Sequence, residues 1–283
     1  MPDIKLITLD LDGTLLNSRK ELTEENFAAL QWAAERGIEI VPTTGRFFGG
    51  MPEVIRKLPF LHYAITINGA QVYDVRRETV VSQAEMSMET AISLMAYLDQ
   101  FPVIYDCFQD NWGWMPRSLQ EKAPDYAPDP HCLKMLLELR SPVDDLKETL
   151  RERGRSVQKV QFFAKDMELR ARLMEEIPKQ FPELIVSSSI VNNVEINHHE
   201  SHKGVAIRRL AEHLGLEMDQ TMAFGDGLND ITMLQSAGIG VCMKNGQDAV
   251  KAVADYVTDS CDESGVAKAI YRFCRDAESE NER

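Results

Sequence analysis

The stretch Lys5–Lys20, KLITLDLDGTLLNSRK, sets the problem for the whole chain. A short apolar run ends in Asp10, Asp12 follows after one leucine, and Gly13 comes next. Such a run reads as a buried strand. A carboxylate at its end is costly, because taking an unpaired ion out of water is penalised by several kcal/mol or more. Something elsewhere in the sequence must compensate.

Three further apolar runs end in the same way. IEIV (38–41) passes through Pro42 into TTGR (43–46), AITI (64–67) into NGA (68–70), and TMAF (221–224) into GDGLND (225–230). In a parallel α/β sheet, ligands sit outside the carboxyl ends of the strands. If the four runs are parallel neighbours, their loops deliver Asp10, Asp12, Thr44, Arg46, Asn68, Asp226, Asn229 and Asp230 to one point.

Several carboxylates at one point repel each other, and a divalent cation removes the conflict. Mg²⁺ prefers oxygen ligands, and Asp10 and Asp226 are the natural direct ones. Soft ligands are missing, which disfavours zinc. The threonine hydroxyl, the asparagine amide and the glycine-loop N–H groups are suited to donate to phosphate oxygens. Lys203, in ESHKGVAIRRL, falls in the first turn of a predicted helix with Ser201 as its N-cap. A cation there opposes the helix dipole by roughly 0.3–1 kcal/mol. It makes sense if lysine and helix end share an anionic partner. Asp10 or Asp226 is the expected protein partner.

Each motif alone has an ordinary reading. DLDG is a strand running into a turn, TTGR a helix entry, and NGA a hairpin turn. GDGLND lacks the final glutamate of a calcium loop, and an isolated Lys203 is a solvated charge. Their joint order, each after an apolar run, carries the reading.

The surrounding texture fits an α/β protein in two parts. LTEENFAALQWAAERG reads as a helix capped by Thr23, MPEVIRKL as a short helix, and QVYD with ETVVSQ as a hairpin. From about Ser87 the texture changes to mixed helices and strands, with a turn at Asp-Asn-Trp-Gly. The first texture returns after Asn197. The expected organisation is a discontinuous core, residues 1–82 and 198–283, interrupted by an inserted α/β segment, 83–197.

Composition excludes several classes. Against 45 Asp and Glu stand 31 Lys and Arg, a formal net charge of −14. Nucleic acid and anionic membrane surfaces are therefore poor partners. No apolar run is long enough to span a bilayer. The start of the chain does not read as a signal peptide. Five scattered cysteines suit reduced thiols, so the cytoplasm is the expected compartment. His198, His199 and His202 lack metal-ligand spacing and read as a polar loop. Trp112 and Trp114 read as packing residues or as part of a substrate pocket.

At this point DLDGTL, TTGR, NGA, HKGVAI and GDGLNDITML resemble the motifs of the haloacid dehalogenase superfamily, and most closely its Cof-type sugar-phosphate phosphatases. The resemblance spans nearly the whole chain. It implies a Rossmann-like parallel-sheet core with an inserted α/β cap that sets substrate specificity. It also implies Mg²⁺, an aspartyl-phosphate intermediate and a small phosphorylated metabolite as substrate. By position, Asp10 is the implied nucleophile. Asp12 is the implied general acid and base, with a raised pKa and its backbone carbonyl on the metal. Thr44, Gly45, Arg46, Asn68, Lys203 and Asn229 would bind substrate and phosphate. Asp226 would complete the metal site, and Asn229 and Asp230 would support the metal and Lys203. Pro42 and the histidine-rich INHHESH depart from the usual pattern. The rival readings are a sugar-phosphate phosphomutase and a non-catalytic regulatory protein on the same fold. A monomer or homodimer is expected.

Overall fold

Leu6–Leu9 is a fully buried strand with a parallel partner on each side. Glu39–Pro42 lies on one flank and Thr221–Gly225 on the other. Ile239–Cys242 and Tyr256–Val257 extend the same five-stranded parallel sheet. Alternation along the strand sends Ile7 and Leu9 into one apolar layer with Leu30, Met222 and Phe224. Leu6 enters the opposite layer with Val41, Ile65, Ile207 and Leu210. The computed structural model describes residues 3–188 and 190–275. These form two compact units, one from the segments up to Gln83 and from His202, the other Ala84–Ser201. The α/β class read from the sequence holds.

The fourth expected strand joins differently. Tyr63–Thr66 meets the core sheet through one parallel bridge, Thr43 with Ile65, and by Thr44 N–H donating to Ile65 O at 2.9 Å. It then pairs antiparallel with Gln71–Asp74, which pairs with Thr79–Gln83, giving the expected hairpin. Pro42 is tolerated through phase. Glu39 and Thr43 donate their N–H groups toward Lys5 and Leu9, so the nitrogen of Pro42 points to the other flank. Helix Glu24–Glu35 starts where expected, with the Thr23 hydroxyl accepting the Asn26 N–H.

The inserted unit carries a six-stranded sheet. Its order is Leu184–Ser187, Asn193–His198, Lys159–Ala164, Val103–Gln109, Trp112–Pro116, Arg140–Val143, and only the last pair is parallel. Helices Met88–Leu98, Leu146–Arg153 and Met167–Gln180 pack on one face through Leu94, Leu98, Leu150, Leu173 and Ile177. The turn uses Asp110 and Asn111, both left-handed at φ 56° and 57°, and Trp112 already opens the next strand. Expecting Asp-Asn-Trp-Gly placed it two residues too long. Trp112 donates to Ser141 Oγ at 2.8 Å and Trp114 to Gln109 O at 3.3 Å, in keeping with packing roles within this unit.

The five cysteines are free thiols. Burial pushes Cys132 up to about 12 and Cys242 up to about 11, so they are poor nucleophiles. Among the described residues no helix is long and apolar enough to cross a membrane.

Candidate active site

The parallel register brings two acidic strand ends side by side. Asp10 follows Leu6–Leu9 and Asp226 follows Thr221–Gly225, and Asp10 N–H donates to Phe224 O at 3.0 Å. Beyond Asp226 the chain makes a short 3-10 turn, Leu228–Asp230, which folds Asp230 back beneath the strand end. Asp230 Oδ2 there accepts the N–H groups of Asp226 and Gly227, each at 2.9 Å. Carboxylate oxygens of Asp10, Asp226 and Asp230 all lie within 4.8 Å of one another.

Lys203 is the compensating cation. It is the first residue of helix Lys203–Leu214 and is fully buried. Its Nζ lies 2.6 Å from Asp10 Oδ1 and 2.6 Å from Asp230 Oδ1. Asp10 and Asp230 are its partners: Asp10 is one of the two expected from the residues themselves, and Asp230 is the support of Lys203 that the resemblance implied. Asp226 is held instead by Thr14, whose hydroxyl donates to Oδ1 at 2.7 Å. The helix cap also differs. His202, not Ser201, is the N-cap, its ring Nδ1 accepting the Val205 N–H at 3.3 Å. That one-residue shift places Lys203 at the very start of the helix.

Charge and burial set the protonation of this cluster. Burial, with the neighbouring Asp230 charge, pushes Asp226 up to about 7. Burial also drives Asp10 well above the ordinary carboxylate value against the pull of Lys203, and Asp230 and Asp226 add to the rise. Burial alone would lower Lys203, but Asp10 and Asp230 outweigh it and raise its pKa.

Asp12 behaves differently from its neighbour. Its carboxylate is gripped by Arg46, Nε to Oδ2 at 2.9 Å and Nη2 to Oδ1 at 3.0 Å, with Lys20 Nζ 2.9 Å from Oδ1. Burial would raise its pKa, but Arg46 and Lys20 together hold it below the ordinary value. The expected raised pKa is therefore absent in this arrangement. The reason is the bidentate guanidinium, which stabilises the charged form.

The remaining loops converge as expected. Thr44 is buried, and its Oγ1 accepts the Arg46 N–H at 3.2 Å across Gly45. Asn68 N–H donates to Thr44 O at 3.0 Å, and Asn68 Oδ1 accepts from Asn229 Nδ2 at 3.1 Å. Ile67, Asn68 and Gly69 are all left-handed, at φ 52°, 59° and 95°. A side chain on Gly69 would lie 2.6 Å from His202 O, so the turn packs against the start of the Lys203 helix. Gly13, at φ +88°, likewise leaves room for Asp226; a Cβ there would sit 2.5 Å from its Oδ2.

The histidines take local roles. Besides the His202 cap, His198 Nδ1 accepts the Glu200 N–H and His199 Nδ1 contacts Glu183 O. Sequence reasoning missed Thr14, Lys20 and Asn245, whose Nδ2 donates to Gly13 O at 2.8 Å. Thr14 had a signal in DGT. The other two lie outside the four motif loops.

Comparison with known proteins identifies the family. A family model described as haloacid dehalogenase-like hydrolase matches residues 7–270. The chain is 31% identical over 273 residues to the 5-amino-6-(5-phospho-D-ribitylamino)uracil phosphatase YcsE of Bacillus subtilis, covering 95% of each protein. It is 29% identical over 277 residues to the pyridoxal phosphate phosphatase YbhA of Escherichia coli, covering 94% of this chain and 97% of that one. A solved haloacid dehalogenase-like hydrolase from B. subtilis superposes with a TM-score of 0.81 at 29% identity, covering 95% of this chain and 100% of the other. On motifs, fold and relatives together, the chain belongs to the haloacid dehalogenase-like hydrolases and is a Cof-type phosphatase of that superfamily.

Proposed function

We propose that the protein is a Mg²⁺-dependent phosphatase that hydrolyses a small phosphorylated metabolite through an aspartyl phosphate on Asp10. The relatives named above act on a phosphoribitylamino-uracil and on pyridoxal phosphate. A sugar or cofactor phosphate is the matching substrate class for this chain.

The donor set fits the cation. Three donors already engage Asp230, Lys203 on Oδ1 and two backbone N–H groups on Oδ2. That leaves Asp10 and Asp226 to face a metal, with Asp230 and Asn229 as supports. These are oxygen ligands, partly buried and mutually repelling, which suits a hard divalent ion. Bound there, Mg²⁺ would offset the negative charge that otherwise keeps a phosphate away.

The chain's own groups supply the rest. Asp10 attacks phosphorus, and Lys203, fixed against it, neutralises part of the phosphoryl charge. Thr44, Asn68 and the N–H groups of their loops donate to phosphoryl oxygens. Asp12 gives a proton to the leaving oxygen, then takes one from the water that cleaves the acyl phosphate. Since Asp12 is ionised and clamped at rest, substrate must reach it in its protonated minority form or loosen Arg46 from it.

The observation that carries this reading is the buried Lys203 bridge from Asp10 to Asp230 beside Asp226. A panel of phosphorylated metabolites should release inorganic phosphate with Mg²⁺ and not with excess EDTA. Asp10→Asn should abolish release. Undiminished turnover by that variant would remove Asp10 as nucleophile, and an isomerised sugar phosphate in place of free phosphate would identify a mutase.

A further inference from the structure

Asp12 is held by more than the arginine of the TTGR loop. A carboxylate offers about four acceptor sites, two on each oxygen. On Asp12, Oδ1 receives Arg46 Nη2 and Lys20 Nζ, while Oδ2 receives Arg46 Nε. Among the described residues no other donor reaches this carboxylate, so one acceptor site stays open, and it is on Oδ2.

The chain takes some trouble to put Lys20 there. Residues 17–21 form a tight turn closed by Asn17 N–H to Glu21 O at 3.0 Å and Lys20 N–H to Asn17 O at 2.9 Å. Asn17 Oδ1 accepts the N–H groups of Arg19 and Glu21, each at 2.9 Å. An antiparallel bridge between Leu16 and Leu22 pins the base of the turn. Lys20 itself is left-handed, at φ +64°, a conformation that residues other than glycine, asparagine and aspartate seldom adopt. Its side chain is 41% exposed, so the ion pair adds little to stability. Positioning of Asp12 is the role that remains.

We propose that Lys20 is a positioning residue that saturates Asp12 Oδ1 and so leaves Oδ2 as the oxygen that exchanges a proton with the substrate. This rests on the acid and base role assigned to Asp12 above. In the first step the P–O bond to the leaving group breaks and its electron pair stays on the leaving oxygen. The proton on Asp12 Oδ2 passes to that oxygen, and Asp12 is left as the carboxylate that Arg46 and Lys20 hold. In the second step a water proton returns to Oδ2 while the water oxygen takes the phosphoryl group from Asp10. Without Lys20, Oδ1 keeps only Arg46 Nη2 and has an open acceptor site as Oδ2 does, so the proton divides between the two oxygens and is correctly placed in only part of the population.

The test compares leaving groups. Lys20→Met should keep the wild-type Tm and KM. It should lower kcat about tenfold on 2-glycerophosphate, whose alkoxide needs a proton, and by less than about twofold on 4-nitrophenyl phosphate, whose phenolate does not. Lys20→Arg should restore most of the loss. Equal losses on both substrates, or no loss on either, would overturn the proposal. Asp12→Asn separates the two levels. If its own loss ignores the leaving group, the acid role of Asp12 has failed and the Lys20 role fails with it. If its loss follows the leaving group and that of Lys20→Met does not, the Lys20 role alone has failed.

Discussion

Asp230 Oδ1 lies 2.6 Å from Lys203 Nζ, while Oδ2 of the same carboxylate accepts the N–H groups of Asp226 and Gly227. One buried side chain therefore fixes both the compensating cation and the backbone that presents Asp226. Asp230→Asn keeps the shape but loses the charge that orients Lys203. Supporting residues of this kind typically cost about 10–100-fold in metal affinity or activity when changed. Titration of Mg²⁺ against turnover should show the half-saturating concentration rising by that order. An unchanged Mg²⁺ requirement would make Asp230 a purely structural acid.

Lys203→Met removes the cation and leaves two buried carboxylates facing each other. Breaking a buried ion pair from one side costs about 3–5 kcal/mol, so this variant should melt well below wild type as well as lose turnover by orders of magnitude. Full burial of the lysine is what ties stability to turnover in this variant. Denaturant unfolding and kcat on the same sample check both parts.

Asp226 gives a pH signature in the absence of metal. Its pKa is raised from the ordinary carboxylate value to about 7 by burial first and by Asp230 second. A group raised in the folded state contributes its full stability below the unfolded pKa, and that contribution is lost as pH rises through the folded pKa. Metal-free protein should therefore lose stability, on the order of a few kcal/mol, between about pH 4 and pH 8. Added Mg²⁺ should raise Tm more at pH 8 than at pH 5, because it replaces the proton. Asp226→Asn should flatten this part of the profile. A metal-free Tm that climbs across the same window would contradict the assignment.

Gly13→Ala tests the close approach of the loop after Asp10 to Asp226. The new Cβ would lie 2.5 Å from Asp226 Oδ2 at a backbone φ of +88°. Left-handed strain in a non-glycine residue costs about 1–3 kcal/mol, and relief of the clash must move the Asp226 carboxylate. Expected results are a lower Tm and a weaker Mg²⁺ response. Wild-type values for both would show that the loop yields without disturbing Asp226.

The sheet was legible because its signal is local. Short apolar runs ending in polar loops specify buried parallel strands, and the hairpin at Gln71–Gln83 announces itself by alternation. The meeting of Asp10, Thr44, Asn68 and Asp226 followed from that topology. Side-chain partnerships did not. Lys203 pairs with Asp230, which the resemblance implied but the residues alone did not, because a 3-10 turn folds Asp230 back and Thr14 already occupies Asp226. Lys20 reaches Asp12 through a left-handed residue in a turn that carries no motif. The helix cap moved by one residue because a histidine ring nitrogen serves as the acceptor where serine was expected. In the inserted unit the hairpin and packing were readable, but no pattern marked its buried ion pair of Lys159 with Glu195.

The central strand has a consequence for biosynthesis. Thr8 and its hydrogen-bond acceptor Met222 are 214 positions apart, and the whole segment Ala84–Ser201 is made between them. During translation the first strand thus waits with one flank unpaired while the intervening unit emerges with its own apolar core. Asp10 and Asp226 meet only in a chain synthesised past Gly225. A nascent or prematurely terminated product therefore carries Asp10 without its acidic partner, and the carboxylate cluster is assembled only after the ribosome has delivered the later strand.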